Sequence, residues 1–210
     1  MTGTGDRRWM AEALEEAKVA FDRGEVPVGA VIVLEGRILG RGYNLIETLG
    51  DATAHAEIIA IGAASRTVGD WRLNGSTLYA TLEPCLMCAG AIDACRMSRL
   101  VYAAGDPRKG SFGSAVDVRE IRGFCSGLSV DYGLMVEESS ALLEAFFRER
   151  RSEEGKIRRG GRVDEGGGLE NRFPRKRDVG SNPTLSAMNS RGSERIGLNR
   201  GLRKRGLPTR

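Results

Sequence analysis

Two short segments hold the residues best suited to chemistry: His55-Ala56-Glu57 and Pro84-Cys85-Leu86-Met87-Cys88, with 26 residues between Glu57 and Pro84. A Cys-x-x-Cys at the start of a helix puts two sulfurs within reach of one ion, and the helix N-terminus favours the thiolates that zinc requires. His55, the one histidine of the chain, adds an imidazole from the start of another helix. Three N/S ligands make an open tetrahedral zinc site with the fourth position left for water, the pattern of catalytic centres. Glu57 follows His55 at an interval of two, so the pair does not share one face of a regular helix. Within the first turn both can still face the ion. There Glu57 would not ligate. It would accept a proton from zinc-bound water, whose pKa zinc lowers towards ~7, and return it to a ring nitrogen and a leaving amine.

Other uses of these residues are open to weighing. Cys95, seven residues beyond Cys88, would close a structural Cys3His site, but that leaves Glu57 without a role. A redox dithiol needs no His-x-Glu. Cys95 and Cys125 read instead as buried thiols.

The elements that must position these groups follow from periodicity. Residues 7–23 place Trp9, Met10, Ala13, Leu14, Ala17, Ala20 and Phe21 at helical spacing, closed by Gly24. Val28–Leu34 and Arg37–Tyr43 read as strands of a hairpin turning at Glu35-Gly36. Thr53 is the predicted N-cap of a helix from Ala54 to Arg66. Thr77–Thr81 is a strand, Pro84 begins a buried helix through Cys95, Leu100–Ala103 is a strand, and Leu128–Val136 contains another. Ser139 or Ser140 caps a last helix with Leu142, Leu143, Phe146 and Phe147 on its apolar face. Strands alternating with helices predict an α/β fold, a three-layer α/β/α sandwich around one mixed, five-stranded sheet.

The 210 residues divide unevenly. Residues 1–151 hold 17 Lys/Arg against 21 Asp/Glu, whereas residues 152–210 hold 15 against 7 and 11 of the 29 glycines. The tail has few apolar side chains at any period and is predicted to lack the burial needed to order itself. A globular domain is therefore expected over 1–151, with a basic Gly/Arg-rich tail over 152–210. No run of eighteen apolar residues suggests a membrane span, and Met1 to Met10 has no apolar stretch of a signal peptide, so the expected compartment is the cytoplasm.

The His-x-Glu…Pro-Cys-x-x-Cys combination resembles the zinc nucleobase deaminase pattern. Residues 25–151 further resemble the bacterial tRNA-specific adenosine deaminases. The match runs through Glu25-Val26-Pro27-Val28-Gly29-Ala30-Val31, Asn44, Thr53-Ala54-His55-Ala56-Glu57-Ile58, Thr77-Leu78-Tyr79 and Thr81-Leu82-Glu83-Pro84-Cys85. It continues through Met87-Cys88-Ala89-Gly90-Ala91, Gly113-Ser114 and Phe146-Phe147-Arg148. The resemblance implies a cytidine deaminase-like fold and hydrolytic conversion of adenosine to inosine at the wobble position of an arginine tRNA with an ACG anticodon. It implies His55, Cys85 and Cys88 as ligands of one zinc per subunit, and Glu57 as the proton shuttle. It also implies that Asn44 bonds the purine edge, that Val28 and Ala56 line the base pocket, and that Asp106 and Lys109 touch the neighbouring backbone. Phe146 and Arg150 would pack on and pair with flanking nucleotides of the anticodon arm, and the protein would be a homodimer. Read from composition alone, the same residues are surface charges, a turn asparagine and core aromatics. Ala52 and Cys95 depart from the family, which more often has Pro and a small polar residue there. Two other readings are a zinc deaminase of a free base or nucleoside, such as guanine or cytosine, and a non-catalytic zinc-stabilised RNA-binding module.

The tail has its own reading. Gly180-Ser181-Asn182-Pro183 can be encoded by GGT TCG AAT CCC, which contains the T-arm sequence of a tRNA gene. Arg158 to Gly160 can supply GG AGA GG, and Thr184-Leu185-Ser186 its complement, followed by CCA from Ala187 and Met188. Phe173 to Asp178 fits a long variable arm, and Gly168 to Asn171 an anticodon loop carrying TGA. Four arms in order point to read-through of a downstream serine tRNA gene. The rival is a basic RNA-binding arm, consistent with the charge and with Arg203-Lys204-Arg205.

Overall fold

Residues 4–160 are described by a computed structural model. The apolar spacing of the first segment produces helix α1 (Thr4–Asp22). Strands β1 (Gly29–Leu34) and β2 (Arg37–Tyr43) form the expected hairpin. Its two loop residues, Glu35 and Gly36, have φ of 49° and 73°, the left-handed pair that a two-residue turn between twisted strands requires. A short helix α2 (Ile46–Leu49) precedes α3 (Ala56–Val68). Then come β3 (Thr77–Leu82), α4 (Leu86–Ala94), β4 (Arg99–Ala104), a 3-10 turn (Val118–Glu120), β5 (Ser129–Tyr132) and α5 (Val136–Gly160).

The sheet order is β2-β1-β3-β4-β5, with β1 antiparallel to both β2 and β3, and β3, β4 and β5 mutually parallel along the ladder. This is the mixed five-stranded sheet read from the sequence. Strand alternation divides the core. Ala30, Ile32, Leu78, Ala80, Leu100 and Tyr102 face α3 and α4, whereas Val31, Val33, Tyr79, Val101 and Ala103 face the side of Met10 and Ala13 from α1. Helix α5 reaches β3 and β4 and runs past Arg151 to Gly160. Arg99 of β4 donates to Asp6 of α1 (2.8 and 2.9 Å) and to Asp131 of β5 (2.9 and 2.8 Å), tying the edge of the sheet to the first helix. Among the described residues no helix is long and apolar enough to cross a membrane. Residues 161–210, which carry most of the predicted tail and most of the serine tRNA segment, lie outside the described residues.

One packing contact fixes the site. Ala56, Ala60 and Ala64 form a fully buried stripe on α3. They lie against Gly40 and Gly42 of β2 so closely that a Cβ on Gly42 would stand 2.3 Å from the Ala56 carbonyl oxygen and 2.5 Å from the Ala60 nitrogen. Only glycine allows that approach.

Two predicted caps are corrected. Helix α3 begins after His55, with no side-chain cap bond. Thr53 spends its N–H and hydroxyl on the Asp51 carboxylate (2.8 and 2.7 Å), a local bond that competes with capping. Ser139 and Ser140 do not cap the last helix, which already begins at Val136. Ser139 is buried inside its first turns and donates to the Thr81 carbonyl (2.5 Å), joining α5 to the end of β3.

Candidate active site

His55 is the residue before the first turn of α3, and Cys85 holds the same position on α4. Two helix N-termini therefore converge, each lending partial positive charge to a place where thiolates must sit. Cys88 follows in the first turn of α4 and is fully buried. The His55 Nδ1 atom lies 3.7 Å from Cys85 Sγ and 3.5 Å from Cys88 Sγ, and the sulfurs are 3.7 Å apart. Ligands at zinc bond lengths and tetrahedral angles would be separated by about 3.8 Å for two sulfurs and about 3.6 Å for sulfur and nitrogen. The donor set fits zinc, bound through Nδ1.

Contact with Cys88, helped by His55, holds the Cys85 thiol down to about 3, while Cys88 is pushed up by Cys85 and by burial. Cys95 stands apart from this group: buried, it donates to the Ile92 carbonyl at the far end of α4 (3.4 Å), so the closed Cys3His arrangement is not formed. Cys125 is likewise buried.

Glu57 is 3% exposed. Burial raises its pKa above that of an ordinary carboxyl, with the His55 side chain acting in the opposite sense. It faces the ligand cluster from the first turn of α3, the geometry that its spacing from His55 left possible. A buried carboxyl that holds its proton more tightly than usual is suited to take up and deliver one.

These groups open onto a cavity of about 540 Å³, within the range of small-molecule sites. Val28, Asn44, Asp106 and Lys109 line it, as do His55, Glu57 and Cys85. Asn44 is buried and donates from Nδ2 to Glu25 (3.5 Å). Asp106 accepts the backbone N–H groups of Arg108 (2.9 Å) and Lys109 (3.3 Å), so its carboxylate shapes the turn that presents both cations.

Three of the residues named from the resemblance do not line the cavity. Ala56 is fully buried against β2 and does not line the cavity. Phe146 is 5% exposed and packs edge-on against Phe21 and Phe147, so Phe147, with Leu143, supplies the cavity wall from α5. Arg150 lies over the Phe146 ring and donates to the Gly24 carbonyl (2.8 Å).

Sequence reasoning also missed two buried acids. Glu25 accepts the backbone N–H groups of Glu47 (3.2 Å) and Thr48 (2.6 Å), pinning the segment after Asn44. Glu83, beside Pro84, holds the loop after β4. A lone carboxylate in an apolar run, as in Thr81-Leu82-Glu83-Pro84, was the available signal.

Comparison with known proteins agrees with this geometry. Residues 4–104 match the cytidine and deoxycytidylate deaminase zinc-binding region. A tRNA-specific adenosine deaminase of Bacillus subtilis is 45% identical over 148 residues, covering 70% of this chain and 92% of the relative. One from Haemophilus influenzae is 46% identical over 149 residues, covering 70% and 86%. A solved chain from a study of A-to-I editing by tRNA:A34 deaminases superposes with a TM-score of 0.61 at 44% identity, covering 65% of this chain and 99% of that one. A guanine deaminase of Nitrosomonas europaea, at 24% identity and a TM-score of 0.59, shares the fold. With a His-Cys-Cys set at zinc-ligand spacing, a buried glutamate beside it and relatives matched along almost their whole length, the chain belongs to the tRNA-specific adenosine deaminases, zinc-dependent hydrolases of the cytidine deaminase-like fold.

Proposed function

We propose that this protein converts adenosine to inosine at the wobble position of an arginine tRNA with an ACG anticodon, acting in the cytoplasm as a homodimer with one zinc per subunit. The observation that carries this reading is Glu57, buried beside a zinc-spaced ligand set in the wall of a cavity large enough for a nucleoside. Zinc, when bound by His55, Cys85 and Cys88, supplies an acidified water and a Lewis acid. Glu57 takes one proton from the attacking water and gives it to a ring nitrogen, then takes a second from the hydroxyl added to the ring carbon and gives it to the amine, which departs as ammonia. Asn44, held by Glu25, meets the purine edge, and Val28 packs on the ring. Arg108 and Lys109, on the rim, receive backbone phosphates, which offsets the domain's negative balance. Phe147 is the α5 aromatic offered to a flanking base, with Phe146 and Arg150 bracing it from behind. The target base must leave the anticodon stack to reach this depth.

The test is an arginine tRNA transcript with an ACG anticodon, incubated with zinc-loaded protein and assayed for inosine at the wobble position. Inosine there is the expected result. Turnover of guanine or cytosine without inosine would replace this reading with free-base deamination, and tRNA binding without any turnover would point to a non-catalytic module.

The tail is proposed to be translated tRNA-gene sequence with no part in the reaction. Ending the chain after Lys156 is then expected to leave inosine formation and tRNA affinity unchanged. A clear loss of affinity on truncation would establish a basic RNA-binding arm, and coding DNA unable to pair into the four stems would end the read-through idea.

A further inference from the structure

We infer that Glu83 is the positioning residue that seats the loop carrying Asp106, Arg108 and Lys109 against the end of β3, and thereby sets how tightly RNA is held; this rests on the reading of the reaction above. Glu83 is 3% exposed. Burying a carboxylate is costly unless its oxygens are fully hydrogen-bonded. Here they are met by backbone N–H groups from one loop: Asp106 on Oε2 (3.1 Å), and Phe112 (2.7 Å) and Ser114 (3.2 Å) on Oε1. Gly110 is pressed onto the same carboxylate, since a Cβ there would stand 2.4 Å from Glu83 Cδ. The loop is thus folded around a buried anion.

That anion joins two parts of the site. On one side, the next residues of its strand are Pro84 and Cys85. The Pro84 carbonyl accepts both the N–H (3.0 Å) and the hydroxyl (2.7 Å) of Ser111, and Cys85 bridges to Gly110. On the other side, the Asp106 N–H held by Glu83 places the Asp106 carboxylate, which in turn orders the N–H groups of Arg108 and Lys109 at the cavity rim. Glutamine has the shape of glutamate but only one acceptor oxygen. Its oxygen can keep Phe112 and Ser114, yet its NH2 must then face the Asp106 N–H, two donors opposed. Glu83→Gln therefore frees the Asp106 end of the loop and leaves the ligands in place.

Three readouts on Glu83→Gln decide this. Zinc content should equal wild type, KM for the tRNA transcript should rise about tenfold, the effect of losing one charge-assisted hydrogen bond, and kcat should fall no more than a few-fold. Trypsin should cut after Arg108 and Lys109 faster than in wild type. Unchanged KM and unchanged cleavage would overturn the inference, as would a collapse of kcat at constant KM, which would place the carboxylate in the chemistry. If the variant fails to fold, amide exchange on the wild type decides. Protection of Asp106, Phe112 and Ser114 to the level of β3 supports the seat, and exchange at open-loop rates overturns it. Should wild type form no inosine, the reaction reading fails, whereas the trypsin and exchange results still judge the role of Glu83.

Discussion

Glu57→Gln is expected to slow inosine formation by ~10²–10⁴-fold, the range spanned by positioned acid–base groups, with zinc content near wild type. The amide fills the same buried space but cannot take up and release a proton. Folding should tolerate the change, because burial already disfavours the charged form of this carboxyl. Single-turnover rates on saturating tRNA are the proper measure, since they exclude product release. A loss smaller than tenfold, with zinc retained, would remove Glu57 from the reaction and leave a zinc-stabilised binding module as the better account.

Gly42→Ala should damage the site without touching a ligand. The new methyl group would stand 2.3 Å from the Ala56 oxygen, so α3 must move away from β2. Overpacking of this kind costs ~1–3 kcal/mol. The movement carries His55 and Glu57 with it, and a displacement of about 1 Å at reacting groups costs on the order of 10²-fold in rate. Melting temperature, bound zinc and activity should therefore all fall. Gly36→Ala is the control. It strains the hairpin turn, where φ is 73°, by ~1–2 kcal/mol but meets nothing within 4 Å. Its bound zinc and specific activity should match wild type. Equal zinc content in both variants would show that the α3–β2 contact does not position the ligands.

The hairpin was legible because a short, mostly β-branched apolar run, Ala30-Val31-Ile32-Val33, leads to the turn pair Glu35-Gly36. The His-Cys-Cys cluster was legible because few residue types bind zinc and two of the three sit in one Cys-x-x-Cys turn. The wall of the cavity was not. Phe146 and Phe147 are adjacent on α5, and which one faces inward depends on how that helix docks beside Phe21, more than a hundred residues away in the chain. Glu25 and Glu83 were overlooked for a related reason. Their partners are main-chain N–H groups 22 to 31 residues further along, and backbone donors carry no sequence label. Thr53 misled for the opposite reason, since a bond two residues back to Asp51 outcompeted the helix.

The parallel run of β3 and β4 has a consequence for how such a protein can change. Both strands finish at the same end of the sheet. One runs into the Cys85–Cys88 turn that begins α4; the other releases a long connection to β5 that lines the cavity. The two clustered cysteines and the connection that lines the cavity are thus carried by different stretches of chain. Mutation can rewrite the connection, in length or in charge, while the metal ligands stay on their helices. Evolvability on this scaffold is constrained where the stretches meet, at the hydrogen bonds that Glu83 and Pro84 accept from the connection.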